Sequence, residues 1–90
     1  MVLATTRYED LERMKEVFTG PGAEKRKEHG CRGAMVFQDP YVPDRIWAVF
    51  DWDEAGWQAF LSDPEVPPIM KNAGHLEKPQ SASLSFDCDS

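Results

Sequence analysis

The stretch Ile46-Trp47-Ala48-Val49-Phe50-Asp51-Trp52 decides the fold of this chain. A half-exposed β-strand alternates apolar and polar residues, because successive side chains point to opposite faces of the sheet. This stretch is apolar at every position except Asp51. Both faces of its strand therefore prefer burial, and something has to cover each of them in a chain of only 90 residues.

The residues before this stretch predict a strand, a helix and a short helical turn. Val2 to Thr5 is a short apolar run, and Thr6-Arg7-Tyr8-Glu9 has the S/T-x-x-E pattern of a capping box that begins a helix. Apolar residues then recur at helical spacing, at Leu11, Met14 and Phe18. Gly20-Pro21-Gly22 is expected to end this helix. The polar segment from Ala23 to His29 predicts a short, solvated helical turn.

A β-hairpin follows, and the stretch quoted above forms its second strand. Gly33 to Gln38 predicts the first strand and Arg45 to Trp52 the second, with a loop rich in turn formers between them. Asp53 is the expected N-cap of the next helix, which carries Trp57 and Phe60 on one face.

The last third of the chain predicts a restarted helix and a final strand. Asp63-Pro64 has the pattern of a cap followed by proline at the first helical position, and Gly74 is well placed to end that helix. Pro67 and Pro68 are expected to make its middle irregular. Ser81 to Cys88 alternates strictly, which predicts a half-buried strand with Ala82, Leu84, Phe86 and Cys88 on one side.

The element order β-α-β-β-α-β is that of the ferredoxin-like, split βαβ plan. It predicts an α+β fold in which an antiparallel four-stranded sheet has its helices on one face. On the second hairpin strand Trp47 and Val49 oppose the other apolar residues, on the first Ala34 and Val36 oppose Met35 and Phe37, and neither face is polar enough to prefer water. An exposed apolar patch of this kind marks an interface or a ligand groove. We therefore expect a homodimer in which a second copy covers the open sheet face about a two-fold axis.

Charge and composition exclude several classes of function. With 10 basic and 16 acidic residues the formal net charge is −6, which disfavours a nucleic-acid partner. The one basic cluster, Lys25-Arg26-Lys27, is flanked by glutamates and is typical of a solvated helix face. No apolar run approaches about 18 residues and no signal peptide is recognised, so we expect no membrane association and a cytoplasmic location. The two histidines, His29 and His75, lack the spacing of metal ligands, so no metal centre is expected.

Several of these segments resemble a known superfamily. Arg45 to Trp52, Asp53 to Leu61, Ser62-Asp63-Pro64 and the Ala73-Gly74 ending are similar to the second half of the dimeric α+β barrel proteins. That group includes antibiotic-biosynthesis-type monooxygenases, muconolactone isomerases, polyketide cyclases and stress-responsive barrel proteins. The resemblance implies that two sheets close into a dimeric barrel and that each protomer has a small-molecule cavity between its sheet and its helices.

Two activities of that superfamily are disfavoured by departures from its patterns. The plant cyclases have an H-P-x-H stretch where this chain has Asp63-Pro64-Glu65-Val66, so both histidines are absent. The haem-degrading members use an asparagine on the first strand, and Val2 to Thr6 contains none. The resemblance otherwise implies chemistry without a cofactor.

His75 and Asp51 are the candidate catalytic residues. His75 follows Gly74 at an expected helix end, and an imidazole with a pKa of about 6.5 suits general-base catalysis near neutral pH. Its alternative role is to interact favourably with the helix C-terminus. Asp51 interrupts an apolar strand, so it must pair with a cation, lie at the sheet's end near water, or face a pocket as a base with a raised pKa. Its alternative role is to assist Asp53 at the next helix start.

The candidate ligand-binding residues are chosen for bulk and charge. Trp47, Trp52 and Trp57 can stack on an aromatic ligand while their indole N–H groups donate, although core or interface packing is the commoner fate of tryptophan. Tyr8 is placed to guard a pocket mouth. Arg32 can anchor an anionic ligand or form a surface ion pair.

Two functions stay open from the sequence. The first is a dimeric barrel that binds a small aromatic or apolar molecule, as a cofactor-free monooxygenase, isomerase or cyclase. The second is a non-catalytic oligomeric assembly or stress-responsive protein. If the folded dimer has no enclosed cavity of at least about 300 Å³ lined by His75, Asp51 or a tryptophan, the enzymatic function is to be dropped.

Overall fold

A computed structural model describes residues 1 to 90, in which one four-stranded sheet packs against the helices. The elements in chain order are β1 (Val2–Arg7), α1 (Leu11–Thr19), α2 (Pro21–Glu28), β2 (Ala34–Gln38), β3 (Arg45–Phe50), α3 (Glu54–Ser62), α4 (Val66–Ala73) and β4 (Gln80–Ser83). The strands form one antiparallel sheet in the order β2-β3-β1-β4. This arrangement confirms the ferredoxin-like prediction, with each predicted helical region divided into two helices. No helix has the length and apolar character needed to cross a membrane.

The register of the sheet sorts its side chains into two faces. Phe50 pairs with Val2 on β1 and with Ala34 on β2, and Phe50 and Val2 lie in the core against the helices. Val49 pairs with Leu3 and with Met35, and this row lies on the opposite face, which no helix covers. The even positions of β3 are buried within the chain and the odd positions are half-buried.

The start of the first helix was predicted wrongly. β1 continues to Arg7, and Thr6 lies within it, with its hydroxyl donating to the carbonyl of Glu77 (2.9 Å). The N-cap is Asp10, whose carboxylate accepts hydrogen bonds from the backbone N–H groups of Glu12 and Arg13. The S/T-x-x-E pattern is therefore not a capping box here, because pairing of β1 with β3 holds Thr6 in an extended conformation.

The segment expected to be a solvated turn is a full helix with one buried side. Gly20 ends α1, and α2 begins at Pro21. Gly22 and Arg26, which are four residues apart, are both buried. The prediction of a solvated basic cluster is thus wrong for Arg26, whose side chain is buried on the inner side of α2.

The second half of the chain follows the sequence prediction more closely. The Asp53 carboxylate accepts from the backbone N–H of Gly56 and caps α3, as predicted. The following helix begins later than expected, with Glu65 as its N-cap, so Pro67 and Pro68 lie in its first turn. Proline is tolerated there because the first backbone N–H groups of a helix have no intrahelical partner. Gly74 ends α4 with a left-handed φ of 83°, as predicted.

The last strand is shorter than predicted and shows its apolar side to the open face. Only Gln80–Ser83 pair with β1, and the residues after it are exposed, including Leu84 and Phe86 at 56% and 80%. Ala82 pairs with Leu3, so it shares the open face. Ser81 pairs with Ala4 and faces the helices, where its Oγ accepts from the indole N–H of Trp57 (3.0 Å). The alternation predicts the strand, but its apolar side is not buried within this chain.

Candidate functional site

A cavity lies between the sheet and the helices, at the position that the resemblance implies. Its volume is about 70 Å³. Most of its wall is apolar and comes from every layer of the fold, including Ala48 and Phe50 of the sheet, Met14 of α1, Trp57 of α3 and Met70 of α4. Three titratable side chains also line it: Tyr8, Arg26 and His75.

Tyr8 and His75 form a pair at one end of this cavity. Their backbones form an isolated antiparallel bridge, and the adjoining hydrogen bonds run from Glu9 N to Gly74 O and from Leu76 N to Arg7 O (both 2.9 Å). Their rings lie edge to face, with centroids 4.3 Å apart. The Nδ1 atom of His75 is buried and has no hydrogen-bond partner. The left-handed backbone conformation of Gly74, which ends α4, positions the imidazole of the next residue beside Tyr8.

Burial shifts the pKa values of both rings away from their ordinary values. The pKa of His75 is lowered by burial, which disfavours the imidazolium, and the backbone of Glu77 partly opposes this effect. The imidazole is therefore neutral at pH 7 and can accept a proton. Burial raises the pKa of Tyr8 to about 12, so its hydroxyl keeps its proton and can donate a hydrogen bond.

Arg26 is the residue of this cavity that sequence reasoning missed. It is 8% exposed, and its Nη2 donates to the carbonyl of Phe18 (2.8 Å). Its guanidinium lies 3.9 Å from the centroid of the Phe18 ring. Gly22, one turn earlier on the same side of α2, was the sequence signal for an inward-facing side, since glycine lets a helix approach its neighbours closely.

The three tryptophans lie in three different environments. Trp57 is 2% exposed and lines the cavity, so it is the one tryptophan placed to contact a ligand there. Trp52 is also buried, but it packs against Phe50 and Phe60 and donates to the carbonyl of His29 (2.8 Å). Trp47 lies on the open sheet face, with its indole N–H donating to Asp39 (2.9 Å).

Asp51 and Arg32 are joined to each other and not to the cavity. Two hydrogen bonds link them, from Nε and Nη2 of Arg32 to the two carboxylate oxygens of Asp51 (3.3 and 2.9 Å). Both side chains are exposed, and the pairing lowers the pKa of the carboxyl. Asp51 thus has a cationic partner at the solvent-exposed end of β3. It does not line the cavity that contains His75. A base with a raised pKa is not what this environment produces.

A second polar cluster connects α2 with the α3–α4 turn. Glu28, His29 and Asp63 lie close enough together to share a cation. The ammonium of Lys25 already lies among them, 3.0 Å from Glu28, 3.1 Å from Asp63 and in contact with Glu65. The arrangement is explained as an ion-pair network, and we assign it no metal.

Comparison with known proteins identifies the fold. No family model and no curated protein sequence matches the chain. Among solved structures it is similar to SnoaB, a cofactor-independent oxygenase from Streptomyces nogalater (TM-score 0.69, 13% identity, 99% of this chain and 94% of that chain). It is also similar to a Deinococcus radiodurans protein provisionally named an antibiotic biosynthesis monooxygenase (0.67, 17%, 100% and 98%). A third match is protein Atu4242 from Agrobacterium tumefaciens (0.67, 15%, 99% and 94%).

These likenesses confirm the predicted resemblance at the level of fold. The chain has the same fold as solved structures that are named as antibiotic biosynthesis monooxygenases or as a cofactor-independent oxygenase. At identities of 13 to 17% they assign it no activity and no oligomeric state.

Proposed function

We propose that the protein is a homodimeric barrel that binds a small aromatic or apolar molecule beneath its helices and acts on it without a cofactor. One observation carries the proposal. The neutral imidazole of His75 lines a mostly apolar cavity, and one of its nitrogens is buried without a hydrogen-bond partner. A buried polar atom without a partner costs about 1 to 3 kcal/mol, and a ligand that donates a hydrogen bond there would recover that free energy.

The cavity residues suit a reaction that begins with loss of a proton. Monooxygenation by O₂, isomerisation and cyclisation of an acidic organic molecule all share this first step. His75 accepts the proton, and the Tyr8 hydroxyl donates to the oxygen on which negative charge develops. Trp57 offers a flat wall for an aromatic ring. Asp51 has no part in this proposal, because Arg32 already holds it outside the cavity.

The size of the cavity limits the ligand. An apolar cavity needs about 150 Å³ to hold benzene, whereas this one has about 70 Å³. It is also smaller than the enclosed cavity of about 300 Å³ expected of an enzymatic dimer, so it must widen on binding. Met14 and Met70 line it from α1 and α4, and unbranched methionine side chains adapt readily to a new shape. A molecule with a single ring requires the smallest rearrangement.

The non-catalytic alternative is favoured by the same small volume together with the open sheet face. In this interpretation the cavity is imperfect core packing, and the exposed apolar residues serve oligomerisation alone. Leu3, Met35 and Phe37 are 41 to 58% exposed on that face. Such a protein has no need of a titratable pair in its core.

Ligand screening with an NMR readout tests the proposal. We expect single-ring phenols and enolisable ketones to raise the Tm of the protein and to shift the ring signals of His75, whose free pKa should lie below 6.5. His75→Gln should lose the ligand-induced rise in Tm. In His29→Gln, which alters the histidine outside the cavity, that rise should persist even though the starting Tm falls.

The two functions predict opposite results in this screen. If no compound shifts the His75 signals and the solution mass corresponds to large rings, the assembly function replaces the enzymatic one. A His75 pKa at or above its ordinary value would also contradict the proposed base.

A further inference from the structure

A groove separate from the cavity runs along α2 towards the start of β2. It has a volume of about 270 Å³ and shares Phe18 and Arg26 with the cavity. Its other lining residues include Lys27, Cys31 and Arg32, and no acidic residue. Three basic side chains thus converge in one groove of a chain whose net charge is −6.

Arg26 is the buried group of this groove, and it lacks a counter-ion. None of the ion pairs of the chain involves Arg26 or Lys27. A guanidinium has five N–H donors, and the hydrogen bond to Phe18 uses one of them. Only 8% of Arg26 is exposed, and burial lowers the pKa of its guanidinium. A buried charge without a counter-ion is costly, so an anion that enters the groove would be favoured.

We propose that the groove is a binding site for a carboxylate with an apolar body, whose carboxylate pairs with Arg26. The planar guanidinium matches a carboxylate through two parallel hydrogen bonds. A monoanion suits a half-apolar groove better than a doubly charged phosphate, because removing a dianion from water costs more. Lys27 is exposed at the rim and adds attraction, while the charge of Arg32 is largely offset by Asp51.

The apolar body of the ligand lies against Phe18, the other residue common to groove and cavity. Phe18 is only partly buried, so its ring can be covered further by a ligand. That the ligand has an apolar body rests on the proposed function. The new element is that the ligand is a carboxylic acid. The anion site itself depends only on Arg26 and the groove.

Matched pairs of carboxylates and carboxamides test the inference. The probes are acetate, benzoate, phenylacetate and 1-naphthoate with their amides, and the readout is the Kd from NMR titration of the purified protein. We expect at least one carboxylate to bind about tenfold or more tightly than its amide, the effect of one or more charge-assisted hydrogen bonds. Its resonance shifts should centre on α2 and the start of β2.

Three variants locate the binding. Arg26→Met should abolish the preference for the carboxylate, and Arg26→Lys should keep part of it. Lys27→Met changes an exposed residue, so it folds even if the Arg26 variants do not, and it should weaken carboxylate binding severalfold. Lys15→Met removes an equal charge from an exposed position of α1 and should leave binding unchanged.

The outcomes separate this inference from the proposed function. If no carboxylate binds more tightly than its amide, or if Lys15→Met weakens binding as much as Lys27→Met, the inference is overturned. Amides that bind and shift the His75 signals would in that case still support the proposed function. Carboxylates that bind at Arg26 without disturbing His75 would support the anion site and contradict catalysis.

Discussion

Gly56 is the residue whose identity the packing of the tryptophans requires most strictly. A Cβ added there would overlap the indole nitrogen of Trp52 and lie 2.7 Å from the carbonyl of His29. Those two groups form the hydrogen bond that fixes Trp52 in the core. Alanine at this position therefore has to break or displace that bond, although it is the better helix former.

Overpacking a core usually costs about 1 to 3 kcal/mol, and alanine regains about 1 kcal/mol of that cost through its helix propensity. We therefore predict that Gly56→Ala lowers the free energy of unfolding by up to about 2 kcal/mol. Urea denaturation followed by tryptophan fluorescence measures the difference. Gly33→Ala is the control, because a Cβ there would meet nothing within 4 Å and its stability should stay close to that of the wild type. Equal stability of the two variants would contradict the packing argument.

The sequence predicts some cavity residues because their own identity suggests chemistry. His75, Tyr8 and Trp57 were all singled out by residue type, and the fold brings them together around one cavity. Arg26 was missed because its neighbours in sequence are charged and solvated, whereas its burial depends on the approach of α1 and the sheet. Burial of one residue in a charged run is a property of tertiary packing, and local patterns do not contain it.

At the scale of elements, hydrogen bonds to the Asp63 carboxylate link α2 to the α3–α4 turn. The carboxylate accepts from His29 (2.9 Å), from the backbone N–H of Glu65 (2.9 Å) and from Lys25 (3.1 Å). These hydrogen bonds, His29 first, hold the pKa of Asp63 well below its ordinary value of 3.8. The carboxylate therefore binds protons less readily in the folded chain than in the unfolded one.

We predict that Asp63 stabilises the fold above pH 3.8 and that this contribution is lost as the pH falls through the lowered folded pKa. Asp63→Asn should be less stable than the wild type at pH 7, and the difference in stability should shrink steadily as the pH falls below 3.8. Urea denaturation between pH 2 and pH 7 gives the two curves.

Asp87→Asn removes the same charge from the exposed segment after β4 and serves as the control. Its stability should follow that of the wild type throughout. A gap between Asp63→Asn and the wild type that stayed constant from pH 7 to pH 2 would assign the loss to packing and not to the ion-pair network.

The elements that were predicted wrongly are those in which pairing overrides a local pattern. Thr6 has the right neighbours for a capping box, yet six residues of β1 pair with β3 and extend the strand past it. The alternation after Ser81 predicts an extended chain, but only Gln80–Ser83 have a partner strand within this chain. Caps at Asp53 and Gly74 were predicted correctly, because capping depends on the residue and its immediate backbone.

At the scale of the whole molecule, the open sheet face is the feature that a single chain leaves unexplained. Leu3, Met35, Phe37, Trp47, Val49 and Ala82 share it by register. All four helices lie on the other side, where they bury the core cluster. Because water is a poor solvent for such a surface, we propose that a second copy covers it, in line with the dimer expected from the sequence.

We predict that Phe37→Asp separates the dimer. Covering a half-exposed phenylalanine contributes up to about 1.5 to 3 kcal/mol. In a two-fold dimer both protomers carry the substitution at the interface, so the dimer Kd should rise more than about tenfold. Light scattering at micromolar concentration should give about twice the chain mass of 10.2 kDa for the wild type and about that mass itself for the variant.

Tyr41→Asp is the matched control, because Tyr41 is 91% exposed in the hairpin loop outside the face, and its mass should equal that of the wild type. Since position 37 already lies at the surface of the single chain, Phe37→Asp should keep its far-UV circular dichroism. A wild-type protein that is monomeric at this concentration would show that the apolar face stays in contact with water, and the barrel would then have to be abandoned along with the dimer.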